Sequence, residues 1–100
     1  MSNIPKSTRA SDRKSLSEAL EMLSRQQPDQ GNRLYLAELK IVEFLKPVAL
    51  NKAALRAELE WMQNTITEMR TEAKIPETRK FFEGVADFVE RQIGKLDDDD

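Results

Sequence analysis

The sequence contains no cysteine and no histidine, and this double absence narrows the chemistry open to the chain. It excludes a thiol nucleophile, a Ser-His-Asp triad, a Cys/His zinc site and a Glu-x-x-His di-iron site. The three glycines, Gly31, Gly84 and Gly94, are isolated, so no glycine-rich phosphate loop is present. The composition therefore predicts a protein that is not an enzyme and that holds no cofactor and no metal ion.

Carboxylates are the side-chain groups that remain available for catalysis or metal binding. Glu18 with Glu21, and Glu68 with Glu72, are spaced to lie one turn apart on helices. Such pairs can bind a hard cation or share a proton, but both pairs lie off the apolar stripes. We therefore interpret them as solvated helix surface.

Long apolar runs and a large excess of one charge are also lacking. The formal net charge is −2, so no strong overall field favours nucleic acid or membrane as a partner. No run approaches a membrane span in length, and residues 1–14 lack the apolar centre of a secretory signal. Because no disulfide can form, a reducing compartment is the simplest setting, and we expect a cytoplasmic protein.

The chain of 100 residues has 39% apolar and 34% charged residues, and its apolar residues recur with the period of an α-helix. The clearest stripe has apolar residues at alternating steps of four and three. Its members are Leu55, Leu59, Met62, Ile66, Met69 and Ala73. This spacing is typical of the seam of a helical bundle and predicts a long helix over about 51–74. Asn51 is the expected N-cap, and Leu50 with Leu55 would form a hydrophobic staple.

A second strong pattern follows Pro76 and predicts an amphipathic helix over about 77–96. Its apolar residues share one side of the helix. They are Phe81, Phe82, Val85, Ala86, Phe88, Val89, Ile93 and Leu96. We expect this side to cover the seam, so that the two helices form a hairpin.

The N-terminal half predicts two further helices. Ser15 and Glu18 have capping-box spacing, so a first helix is expected to begin near Ser15. A second helix over about Asn32–Lys46 should stop before Pro47. Apolar residues cover so much of the circumference of this helix that we expect it in the middle of the core. Residues 34–39 also partly alternate between apolar and polar, so a strand is the alternative there.

These patterns predict an all-α fold, a small antiparallel bundle of three to four helices in one domain. The long central helix is expected to be hairpinned onto the C-terminal helix. Residues 1–14 are predicted to form a flexible basic arm, residues 15–96 the helical domain, and residues 97–100 an acidic disordered tail.

Trp61 is the most informative candidate for partner binding. It lies on the back of the long helix with Ala54 and Ala57, and tryptophan is enriched at interface hot spots. Alternatively, the back of this helix also packs inside the bundle, on the first helix. Glu38 lies inside the apolar arc of the second helix. It would receive a cation from a partner, pair with a nearby Arg or Lys, or reach the rim.

The seam could instead form a coiled coil between two copies of the chain. A parallel pair would set Glu72 against Glu77, and an antiparallel pair would set like charges together. The hairpin within one chain is therefore favoured. A homodimer through another surface stays open.

The basic arm is a candidate for phosphate contacts through Lys6, Arg9, Arg13 and Lys14. It has no interleaved aromatic residues on which bases could stack. We therefore expect a small helical protein–protein interaction module, serving as an adaptor, regulator, inhibitor or assembly subunit, whose partner is another protein. The alternative is a nucleic-acid-associated accessory protein, and no membrane partner is expected.

Overall fold

The computed structural model describes residues 6–26 and 32–98, and over these ranges the chain is helical without a strand. Its α-helices are α1 (Lys6–Ser24), α2 (Arg33–Leu45), α3 (Lys52–Glu72) and α4 (Pro76–Asp98), and a 3-10 helix, Lys46–Val48, follows α2. The predicted all-α bundle is confirmed. The strand alternative for residues 34–39 is wrong, because these residues lie in α2.

The α3–α4 hairpin is the most extensively packed pair of helices among the described residues, as the seam predicts. Leu59, Met62 and Ile66 of α3 are almost fully buried, and so are Val85 and Val89 of α4. All of them belong to one hydrophobic core to which α1 and α2 also contribute. The predicted zipping of the two helices is therefore confirmed.

The start of α3 confirms one local prediction and contradicts another. The Asn51 side chain caps the helix by accepting a hydrogen bond from the Ala54 N–H at 3.0 Å. The Leu50–Leu55 staple is wrong, because Leu50 is fully exposed. The Asn51 N–H donates to the Val48 carbonyl, and this turn leaves the Leu50 side chain in solvent.

The start of α1 contradicts the sequence prediction. The helix begins at Lys6 rather than near Ser15, so the predicted capping box of Ser15 and Glu18 falls in its interior. The flexible arm is therefore wrong for residues 6–14, because two arginines in this segment bind a carboxylate on α3. Residues 1–5 lie outside the described ranges.

The C-terminal end also differs from the prediction. Asp97 and Asp98 belong to α4 rather than to a disordered tail, and residues 99–100 lie outside the described ranges. The Asp97 carboxylate accepts a hydrogen bond from the Arg56 guanidinium of α3. This ion pair offsets the unfavourable position of an acidic side chain at the negative end of the helix dipole.

Arg33, at the first position of α2, joins three helices. Its buried guanidinium donates to the carbonyl oxygens of Ser24 at 3.1 Å, Gln26 at 2.9 Å and Glu77 at 3.0 Å. It also lies 4.9 Å from the centroid of the Phe81 ring. A cation satisfies the free carbonyls at the end of α1, so Arg33 fixes α2 between α1 and α4.

Gly84 allows α4 to approach α2 closely. A Cβ atom added at Gly84 would lie 3.1 Å from the Leu34 Cδ2 atom, whereas one added at Gly94 would meet nothing within 4 Å. Both glycines lie inside α4.

Replacing Gly94 with alanine is expected to raise the free energy of unfolding by about 0.5–1 kcal/mol, because alanine loses less backbone entropy in a helix. Gly84→Ala should give a smaller gain, or none, because Leu34 must shift to make room. Urea unfolding of both variants measures the difference. An equal gain at the two sites would contradict the close approach at Gly84.

Candidate functional site

The side of α2 that faces away from the core carries a contiguous apolar surface, which we call the outer face: Tyr35, Leu36, Leu39 and Val42. Tyr35, Leu39 and Val42 are 59%, 43% and 46% exposed. They are spaced by four and three residues, so they follow one another along a single side of the helix. Single apolar side chains on a surface are ordinary, but a contiguous row is a feature of interaction sites.

The outer face exists because α2 is apolar on two opposite sides. Ala37, Ile41 and Phe44 lie on the inner side and are buried against the rest of the bundle. The prediction that this helix lies in the middle of the core is therefore wrong. The α3–α4 hairpin and α1 cover its inner side, and no described segment covers the outer face.

Charged residues border the outer face. Glu38, Lys40, Glu43 and Lys46 occur between or just beyond its apolar members, so two acids and two bases share one surface. Glu38 is half-buried and the other three are exposed. The surface can therefore contact an apolar partner at its centre and pair with charges of both signs at its edges.

An open groove of about 410 Å³ lies between α1 and α2, next to the outer face. Leu16 and Ala19 of α1 contribute its apolar wall, and Lys40 and Glu43 belong both to the groove and to the border of the outer face. A side chain from a molecule seated on the outer face could therefore also enter this groove.

Trp61 lies in the contact between helices rather than on a bare surface. Its ring centroid is 5.8 Å from that of Phe44 on α2, and the Arg13 guanidinium of α1 lies 5.1 Å from its ring. The half-buried indole packs against the hydrophobic core. This arrangement matches the alternative in which the back of α3 packs inside the bundle.

Two arginines of α1 converge on one carboxylate of α3. The Nε atoms of Arg9 and Arg13 each donate to a different oxygen of Glu58 at 2.7 Å. The Glu58 side chain is only 6% exposed. Arg9 also donates to the Phe44 carbonyl at 3.2 Å and lies 4.3 Å from the centroid of that ring. The cluster joins α1, α2 and α3 through charge-assisted hydrogen bonds.

The predicted phosphate contacts do not form one exposed basic surface. Arg9 and Arg13 point toward Glu58, while Lys14 is exposed. Lys6 belongs to α1, but its side chain lies outside the described part of the structure.

The predicted partner-binding residues likewise do not form one site. Ala54 is half-buried and Ala57 exposed on α3, close in sequence to the packed Trp61. Glu38 is on α2, where helical spacing makes Tyr35 and Val42 its neighbours. Of the predicted set, Glu38 is the one that borders the outer face.

The carboxylates considered for chemistry lie on the surface. Glu18, Glu21, Glu68 and Glu72 are all exposed. Across residues 6–26 and 32–98, no group of three or more acidic side chains is placed to hold a metal ion.

A comparison with models of known protein families, with curated proteins and with solved structures finds no match to this chain. Over the described ranges, no helix is both long enough and apolar enough to cross a bilayer.

Sequence reasoning missed the role of Glu58 and the exposure of the outer face. The spacing of Arg9 and Arg13, four residues apart, was an available signal, because it places two cations on one side of a helix. For the outer face, the signal was the apolar character of α2 on both sides.

Proposed function

We propose that this protein is a non-enzymatic protein–protein interaction module that binds its partner through the outer face of α2. The observation that supports this proposal is the exposure of Tyr35, Leu36, Leu39 and Val42 on one helix side. An adaptor, regulator, inhibitor or assembly subunit needs such a surface. An enzyme would need a pocket that holds reactive groups.

The energetics of the outer face favour burial by a partner. Fully burying a Leu, Val or Phe side chain contributes about 1.5–3 kcal/mol relative to leaving it exposed, and these side chains are already partly covered. Together they can offset part of the several kcal/mol that association costs in lost freedom of motion. The bordering charges would then select among partners and set their orientation.

This proposal moves the binding surface predicted from the sequence. Trp61 is replaced by the outer face as the anchor of binding, because the indole is packed between Phe44 and Arg13. A cytoplasmic location remains part of the proposal, and its support is the cysteine-free sequence.

The nucleic-acid alternative stays a prediction. The ion pairs of Arg9 and Arg13 with Glu58 do not favour it, because those cations are already engaged. Titration of the protein against duplex DNA at two salt concentrations tests it.

Replacing Leu39 with glutamate is expected to reduce the recovery of the partner by at least about tenfold, which corresponds to 1.4 kcal/mol. Glutamate is a good helix former, so α2 should persist, but its charge would be buried without a counterion in the complex. Affinity purification of the tagged full chain from its own cells, followed by quantitative mass spectrometry, measures the change.

Met22→Glu is the matched control, because Met22 is 62% exposed and belongs to α1 rather than to the outer face of α2. This variant should recover the partner like the wild type. If Leu39→Glu has a lower Tm than the wild type, Tyr35→Glu provides a second test of the outer face. Equal recovery by all three variants, or no protein enriched by the wild type, would overturn the proposal.

A further inference from the structure

The two halves of α1 are held to the bundle by different kinds of contact. Leu16 and Leu20 of the second half are buried in the hydrophobic core. In residues 9–15 no side chain is buried, and the polar contacts of Arg9 and Arg13 take the place of an apolar anchor. A segment with few buried apolar contacts opens locally at a lower free energy than the core does. The first half of α1 therefore has the character of a segment that can detach while the second half stays in place.

We propose that residues 6–15 form a displaceable segment, and that the site beneath it binds an arginine-bearing helix of a partner protein in its place. This site lies on α3 and on the inner side of α2, and in the structure Arg9 and Arg13 of the chain itself occupy it. The segment then acts as an autoinhibitory cover. The site is separate from the outer face, so this inference goes beyond the proposed function and stands without it.

The site has the chemistry of a receptor for two guanidinium groups. The two carboxylate oxygens of Glu58 accept hydrogen bonds from two different arginines, each at 2.7 Å. The Arg9 guanidinium lies 4.3 Å from the centroid of the Phe44 ring. The Arg13 guanidinium lies 5.1 Å from the centroid of the Trp61 ring. Because a guanidinium offers several donors and stacks on aromatic rings, whereas an ammonium is a point charge, the site favours arginine over lysine.

The charge and the spacing of the site define its occupant. The Glu58 side chain is 6% exposed, so whatever replaces the segment must supply positive charge to this buried carboxylate. Arg9 and Arg13 are four residues apart, which sets them about 6 Å apart along one side of a helix. A partner helix with two arginines at this spacing reproduces the pair. A phosphate-bearing partner would instead be repelled by the carboxylate.

The cover sets how strongly a partner must bind. A minor state of a protein is commonly populated at about 0.1–10%, and a ligand that needs this state binds about 10–1,000-fold more weakly than it binds the open site. The ion pairs that hold the cover are accessible to solvent ions, because the Arg9 and Arg13 side chains are 20% and 37% exposed. Salt therefore weakens the cover, whereas the leucines of the second half of α1 are insensitive to it.

The first test measures the opening of the segment by native-state hydrogen exchange. The amides of residues 12–15 are expected to exchange at least about tenfold faster than those of residues 20–23. Raising sodium chloride to about 0.5 M should speed the exchange of residues 12–15 by a further factor of about three and leave residues 20–23 unchanged. Equal protection of the two ranges, or no response of residues 12–15 to salt, would mean that α1 opens as one unit and would overturn the proposal.

The second test vacates the site in the full chain. The double variant Arg9→Gln, Arg13→Gln removes both guanidinium groups, while Leu16 still anchors α1. A fluorescently labelled peptide with the sequence of residues 6–18 is the arginine-bearing probe. Fluorescence anisotropy should show that the probe binds the double variant at least about tenfold more tightly than the wild type. Arg25→Gln is the control, because Arg25 is 73% exposed just after α1, and this variant should bind the probe like the wild type.

Two further comparisons identify the site. A probe with lysine in place of both arginines should bind the double variant at least about fivefold more weakly. Adding Glu58→Gln to the double variant should weaken the arginine probe by at least about tenfold. If the double variant has a lower Tm than the wild type, Arg13→Gln alone replaces it, with a gain of about threefold.

Three results would overturn the arginine site. They are equal affinities of the wild type and the vacated variant, equal affinities of the arginine and lysine probes, and no binding to the vacated variant at about 1 mM protein, the range of effective concentration that a short tether gives.

Discussion

Ile66→Ala is expected to lower the free energy of unfolding by about 3–4 kcal/mol. Ile66 lies on α3 in the hairpin seam, and none of its surface is exposed. The substitution removes buried methyl groups and leaves a cavity, which the neighbouring side chains can fill only in part. A small domain has about 5–15 kcal/mol of stability, so this single change would remove a large share of it.

Ile75→Ala is the matched control, because Ile75 lies in the bend before α4 and is 59% exposed. Its effect should stay within about 0.5 kcal/mol. Chemical denaturation followed by circular dichroism at 222 nm, the usual helix signal, measures both variants. Equal losses of stability in the two would mean that the seam does not hold the core together.

Glu58→Gln is expected to destabilise the protein by about 2–3 kcal/mol, or to lower Tm by about 10–20 °C. The substitution keeps the shape of the side chain but removes the charge that neutralises Arg9 and Arg13. Breaking a fully buried ion pair costs more, but the Arg9 and Arg13 side chains are 20% and 37% exposed, so water relieves part of the loss.

Glu60→Gln on the same helix is the control, because Glu60 is exposed. It should change the stability by less than about 0.5 kcal/mol. The first turns of α1 should also lose protection in hydrogen exchange in Glu58→Gln and keep it in Glu60→Gln. Equal melting temperatures for the two variants would show that the cluster on Glu58 contributes nothing to stability.

The α3–α4 hairpin could be predicted because its determinants are local. The seam is spaced for a helix, Asn51 caps its start, and Pro76 opens the next helix. Each of these signals depends on residues within one or two turns of chain. The bounds of α3 and α4 accordingly agree with the prediction to within two residues at each end.

The start of α1 could not be predicted from neighbouring residues. The segment before Ser15 is polar and has no apolar period, and it is held by Glu58, which is 45 residues after Arg13 and 49 after Arg9 in sequence. The ambiguity of Trp61 has the same origin. Whether its indole is bare or covered depends on whether Arg13 belongs to a helix.

The outer face could be recognised only in part. The sequence shows that α2 is apolar on two sides, but not how many helices are available to cover it. In the described bundle, α1 and the hairpin cover the inner side, and Tyr35 and Val42 are left in solvent. The charges bordering this surface are visible in the sequence, but the sequence does not show that the apolar residues between them are exposed.

The position of Trp61 also gives the protein an intrinsic fluorescent reporter. It is the only tryptophan of the chain, and its ring lies beside Phe44 of α2 and beneath Arg13 of α1. Its emission therefore follows the environment at one junction of three helices, whereas circular dichroism averages over the whole backbone. A comparison of the two signals during unfolding separates the detachment of α1 from the melting of the α3–α4 hairpin.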